Sequence, residues 1–158
     1  MMQTQLEIKE KQLEGSARIL KIFLGDEFVL YGKTKIAHWN VVDSGLHEKH
    51  KFFEEQYEHL DEIMDSVADR IRALGHYTPF TVERLLEYSF LTEQEWWKND
   101  AADFIKDLLF DHESIITRLG QNINIFSDNL NDIETSDFIA GLIETHEKMA
   151  GMLRAHLK

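Results

Sequence analysis

Residues 50–75 read HKFFEEQYEHLDEIMDSVADRIRALG, and this stretch decides the fold. Phe53, Tyr57, Leu60, Met64, Val67, Ile71 and Leu74 follow an alternating four-three spacing with no proline or glycine between them. That is the apolar stripe of one long amphipathic helix. Gly75 stands just past the last stripe residue, where a C-terminal cap is expected. The spacing predicts a helix from Leu46 to Leu74.

The same stretch carries two ligand pairs, His50 with Glu54 and Asp65 with Asp69, each four residues apart. Residues at that spacing lie one turn apart on one face and can grip one ion from two sides. At 100° per residue all four fall within an arc of roughly 100°, at the border of the stripe. From His50 to Asp65 the helix rises about 22 Å, whereas a metal site spans a few ångströms. One copy of the helix cannot bring the pairs together. An antiparallel second copy can, and a two-fold dimer then makes two equivalent sites. Each carboxylate taken alone reads as part of a solvated acidic face. The histidine on the same arc and the repeated step favour metal.

Working outward, four main helices are expected. The first runs from Ser16, read as its cap, to Val41, with Ile19, Leu20, Ile22, Phe23 and Leu30 inward, leaving residues 1–15 as a tail. Gly25 and Gly32 inside it each cost up to about 1 kcal/mol against alanine. After the stripe helix, Tyr77-Thr78-Pro79 breaks the pattern, and Thr81–Ser89 reads as a short helix inside a crossover. Thr92 with Glu95 reads as a capping box opening the third helix. The polar run Ser127-Asp128-Asn129-Leu130-Asn131-Asp132 interrupts it, and the fourth helix starts at Thr135 or Ser136. Four helices with a long connection between the second and third form a ferritin-like bundle. The fold class expected is therefore all-α, one domain over residues 1–158.

Composition agrees. The chain has 158 residues, one proline, no cysteine and a formal charge of −12. The length allows a real core. Without cysteine there is neither disulfide nor thiolate site, which leaves the redox compartment open. No segment approaches eighteen apolar residues, so a soluble, intracellular protein is expected, with no membrane partner. The usual di-iron signature, Glu-x-x-His on two helices of one bundle, is absent: none of the eight histidines has a glutamate three residues before it. His47, His59, His76, His112, His146 and His156 read as surface or packing residues. An imidazole and carboxylate ligand set suits Fe(II), with Zn, Mn or Co as surrogates.

The run Lys35-Ile36-Ala37-His38-Trp39-Asn40-Val41, then His50, Glu54, Tyr57, Asp65, Ala68-Asp69-Arg70-Ile71 and Leu74-Gly75, resembles the Dps family of miniferritins. The likeness extends to Asp137, His146-Glu147-Lys148-Met149 and Leu153-Arg154-Ala155-His156-Leu157. It implies a ferroxidase that oxidises Fe(II), preferentially with hydrogen peroxide or else dioxygen, and stores Fe(III) mineral in a hollow dodecamer against oxidative stress. It also implies a cytoplasmic bacterial protein, with nucleoid association in those relatives that bind DNA. By the same resemblance His38, Asp65 and Asp69 belong to one subunit's half of the site, and His50 and Glu54 to its two-fold mate. Taken without its neighbours, His38 reads more readily as a buried, hydrogen-bonded histidine. Trp39 reads as a core anchor or, in a minority reading, as a redox neighbour of the iron.

Two ligands depart from the family's pattern, which usually has aspartate at 54 and glutamate at 69; each departure moves an oxygen by one methylene. Gly151 stands where relatives often have tryptophan, which predicts looser packing of the last helix. Asp128, Asp132 and Asp137 are candidates for lining a pore that admits iron, or else belong to an ordinary acidic loop. DNA binding is doubtful: residues 1–15 carry Lys9 and Lys11 but also Glu7, Glu10 and Glu14, so few cations can displace phosphate counterions. The rival expectation is a non-enzymatic shell, structural or DNA-compacting, whose metal only staples the dimer.

Overall fold

The computed structural model of the chain describes residues 4–42, 45–93, 95 and 100–158. Five α-helices account for most of these: α1 (Gln5–Asn40), α2 (Leu46–Ala73), α3 (Val82–Glu87), α4 (Ala101–Asn124) and α5 (Ile133–Ala155). One π-helical turn, Ile125–Asn129, follows α4. Among the described residues there is no strand, and no helix is long and apolar enough to cross a membrane. α1 packs mainly on α2 and α4 mainly on α5, so two helical hairpins face each other with α3 in the crossover. This is the ferritin-like arrangement expected from the sequence.

The stripe helix forms as its spacing predicts. Phe53, Leu60, Val67 and Ile71 are fully buried, and Leu74 nearly so. They meet Leu20, Phe23 and Leu30 of α1 and Ile105, Leu108, Ile115, Leu119, Phe126 and Ile139 from the other hairpin in one continuous core. Each such side chain contributes about 1.5–3 kcal/mol by leaving water. Gly75 ends α2 with φ +87°, a conformation open to glycine without a Cβ penalty.

Three helix starts differ from the sequence expectation. α1 begins at Gln5, so most of the expected tail is its first three turns. Thr4 caps it: the Thr4 hydroxyl accepts from the Glu7 amide at 3.2 Å, and the Glu7 carboxylate accepts from the Thr4 amide at 2.7 Å. Ser16 is buried inside the helix instead of capping it. The helix expected from Thr92 begins at Ala101, where Asp100 accepts from the Ala102 amide at 3.0 Å. Thr92 and Glu95 lie outside any helix, and residues 94 and 96–99 of that expected helix lie outside the described residues. The Thr92 carbonyl accepts instead from Lys33 Nζ at 2.9 Å. α5 begins at Ile133, capped by Asp132.

Gly25 has a role beyond tolerance. A Cβ there would stand 2.7 Å from the Leu85 carbonyl oxygen, so glycine lets the crossover lie against α1. Gly151 is exposed, with nothing within 4 Å of where its Cβ would stand.

Candidate metal centre

His38, on the last turn of α1, and His50, on the first turns of α2, are brought side by side by the hairpin, with ring centroids 4.8 Å apart. His38 Nδ1 lies 2.8 Å from the His50 carbonyl oxygen. A carbonyl only accepts, so Nδ1 carries the hydrogen, and Nε2 keeps the lone pair a metal needs. Tyr57 packs edge-on against His38 at 5.4 Å, and Tyr31 against Tyr57 at 6.0 Å. Lys35 Nζ stands 5.4 and 5.0 Å from the centroids of these two tyrosine rings and donates to the Tyr31 hydroxyl at 3.1 Å. That hydrogen bond, as the first cause, holds the Lys35 ammonium above its ordinary pKa. Tyr31 and Lys35 escape a reading by spacing because their partner Tyr57 comes from another helix.

This geometry corrects the grouping of His38 with Asp65 and Asp69. His38 is hydrogen-bonded to residue 50, and residues 50 and 65 are separated by about 22 Å of continuous helix. His38 therefore stands with His50, remote from its own chain's Asp65 and Asp69. His38 and His50 are half-buried; Glu54, Asp65 and Asp69 are exposed. Within one chain, among the described residues, no three histidine or acidic side chains are placed to hold one ion. Trp39 is 63% exposed rather than a core anchor, and Ile36, Val42 and Leu46 leave further apolar surface around the same hairpin turn.

The three pore candidates separate. Asp128, in the π-helical turn, and Asp137, on α5, are exposed. Asp132 is buried and occupied: its Oδ1 accepts from the Thr135 amide at 3.0 Å and from Arg70 Nη2 at 3.4 Å. Arg70 Nε also donates to the Thr135 hydroxyl at 2.9 Å. Burial pushes the Asp132 carboxyl up, but the hydrogen bond from Thr135, helped by the charge of Arg70, outweighs it and holds the group below the usual carboxylate range. Asp132 is thus a helix cap tying α2 to α5, which corrects its reading as a pore residue.

His112 and His146, read from the sequence as surface or packing residues, are both fully buried, and so is Glu27. Two further polar clusters cross the core. Lys33 Nζ pairs with Asp111 at 2.5 Å and Asp107 at 3.0 Å; Asp26 takes Arg118 at 2.5 Å, the Ser89 hydroxyl at 2.9 Å and the Phe90 amide at 2.8 Å. Burial pushes the Asp111 carboxyl above its usual range against the pull of Lys33.

The family model described as ferritin-like domain matches residues 18–158. DNA protection during starvation protein 2 of Bacillus anthracis is 31% identical over 139 residues, covering 88% of this chain and 94% of its own length. The chain belongs to the Dps family. A low temperature-induced protein of Nostoc is similarly related, 34% identical over 151 residues, covering 96% of this chain and 84% of its own. The crystal structure of a Dps protein from Bacillus brevis superposes with a TM-score of 0.86 at 25% identity, over 99% of this chain and 100% of that one. The Dps protein of Vibrio cholerae, described as a member of the ferritin-like diiron-carboxylate superfamily, gives 0.87 at 24% identity, over 100% and 98%.

Proposed function

We propose that this Dps-family chain oxidises and stores iron, at sites built between two-fold related subunits. One subunit supplies His38, His50 and Glu54, and its mate supplies Asp65 and Asp69. The observation that carries this reading is the division of the ligands: an imidazole-rich group at one end of α2 and a carboxylate pair about 22 Å away on the same helix. The apolar side chains Ile36, Trp39, Val42 and Leu46, exposed beside the histidines, supply surface for the mate to cover.

Ferrous iron is the substrate. The histidines bind it through unprotonated nitrogens, the carboxylates offset its charge, and a five-ligand set shared by one or two ions leaves positions free for an oxidant. With hydrogen peroxide, two Fe(II) and two protons give two Fe(III) and two water molecules, so no hydroxyl radical is released. Each Fe(III) then hydrolyses to oxyhydroxide with loss of three protons. Twelve subunits closing into a shell would collect that mineral, and the −12 charge of each would draw cations inward, with exposed Asp128 and Asp137 available to line their path. Trp39, the exposed neighbour of His38 in the sequence, would serve as a redox partner of the iron in this reading. Such a protein works in the bacterial cytoplasm.

Replacing His50 or Asp65 singly with alanine should abolish rapid iron oxidation, followed by ultraviolet absorbance at two Fe(II) per peroxide, while assembly persists. Wild-type rates in either variant would overturn the shared site. The names of the Bacillus anthracis relative and its kin favour a second reading, a DNA-compacting shell with a metal staple. In that case ferrous iron would bind to saturation without peroxide being consumed.

A further inference from the structure

Glu27, His146 and His112 form a hydrogen-bonded chain through the middle of the bundle, linking α1, α5 and α4. His146 Nε2 donates to Glu27 Oε1 at 2.5 Å, and His146 Nδ1 lies 2.9 Å from His112 Nδ1. All three side chains are fully buried. At the two ends of the chain, Glu27 Oε2 and His112 Nε2 have no hydrogen-bond partner among the described residues. His146 is engaged through both of its nitrogens, on opposite edges of the ring, so the three groups make a line and do not surround one point as metal ligands would.

A contact between two imidazole nitrogens has room for one hydrogen. One ring donates and the other must accept, so one of the two Nδ1 atoms has to stay unprotonated. If both rings become cations, two N–H groups point at each other across 2.9 Å and two positive charges share the apolar core. The charged groups on the surrounding helices are already engaged: Asp26 with Arg118, and Asp107 and Asp111 with Lys33. On α2 the buried polar side chain is Gln56, which carries no charge. Glu27 can balance one imidazolium, and among the described residues every other buried carboxylate is already paired with a cation.

We propose that Glu27–His146–His112 is an acid-sensitive latch, holding α1, α4 and α5 together while it carries a single proton between the imidazoles and releasing them when a second proton enters. Burial, and then the neighbouring His146, depress the basicity of His112 well below that of a free histidine. The sign follows. The unfolded chain takes up a proton at His112 near pH 6.5 and the folded chain does not, so stability is intact above that pH and falls as the solution is acidified. The unfolding equilibrium constant should rise by up to tenfold per pH unit below about 6.5 on account of this one group.

The test compares the wild-type assembly with the variant E27L/H112F/H146L, which replaces the latch with apolar side chains. Denaturant midpoints are measured from pH 7.5 to pH 5. Wild type should lose stability steeply below about pH 6.5, and the variant should show a distinctly shallower fall; equal slopes would overturn the proposal. If the variant does not fold, hydrogen exchange on the wild-type protein decides. After correction for intrinsic exchange rates, amides of α4 and α5 around residues 112 and 146 should lose at least tenfold of their protection between pH 7 and pH 5.5, ahead of those in the middle of α2. Protection that falls uniformly over all helices, or does not fall, would refute the latch.

Discussion

Mixing inactive variants can show which half of the site owns His38. Consider His38→Ala subunits co-assembled in equal numbers with Asp65→Ala subunits. Half of the dimers are then mixed. In a mixed dimer, one site combines the truncated histidine with the truncated aspartate. The other draws His38, His50 and Glu54 from the chain with intact histidines, and Asp65 and Asp69 from the chain with intact aspartates. That site is whole, so about a quarter of all sites should work. Mixing His38→Ala with His50→Ala should restore nothing, because both residues belong to the same half: the rings stand 4.8 Å apart and His38 Nδ1 donates to the His50 backbone carbonyl. If His38 instead belonged with Asp65, the outcomes would be reversed. The assay is the initial rate of Fe(II) oxidation by hydrogen peroxide in shells shown by mass spectrometry to contain both variants. Recovery in the His38/His50 mixture, or none in the His38/Asp65 mixture, would refute the assignment.

Two other outcomes follow from the structure. Replacing Asp132 with alanine removes the α5 cap and the partner of Arg70 together, which should cost about 2–4 kcal/mol in denaturant unfolding, with asparagine costing less because it still caps. Since the folded Asp132 is the stronger acid, its contribution should be complete above about pH 3.9 and disappear as the pH falls through its folded value, a loss the asparagine variant should not show. The purified protein should leave duplex DNA unshifted at pH 7.5 and physiological salt, because a chain of charge −12 has few cations to displace phosphate counterions; a clear gel shift without divalent metal would reveal an assembled basic surface.

How far the fold was legible depended on the range of the interaction. The α2 stripe, its glycine cap and the crossover helix behind Thr81 are set by residues a few positions apart, and all appear where the sequence places them. The helix starts were lost where a tertiary contact decides. Asp132 caps α5 in a buried site that Arg70 completes from 62 residues away. At Thr4 the signal was present, since Thr4-Gln5-Leu6-Glu7 is a capping box, but the charged segment behind it hid the helix. In the candidate site the two i, i+4 pairs are local and readable. The company of His38 depends on how two helices fold back on each other. Beyond the reach of spacing is the core chain, whose contacts join residues 34 and 119 positions apart.

The exchanged carboxylates, Glu54 and Asp69, form a coherent pair once the ligands are divided between subunits. On one chain they are simply two departures, fifteen residues apart on α2. In the proposed two-fold site they would face the same ion, glutamate from the histidine side and aspartate from the other, so one methylene gained would offset one lost. In that site the combined reach of the two carboxylates would equal that of one with aspartate at 54 and glutamate at 69, with the ion displaced toward the aspartate helix. Shortening Glu54 alone should therefore leave both oxygens short. E54D should weaken ferrous iron binding by roughly tenfold or more, about the value of one charge-assisted contact. Adding D69E to the same chain should recover most of that loss, although D69E alone lengthens a site already filled. Calorimetric titration with Fe(II) under anaerobic conditions reads the affinities directly. An E54D protein that binds iron as tightly as wild type, or an E54D/D69E protein no better than E54D, would show that the two carboxylates do not meet at one ion.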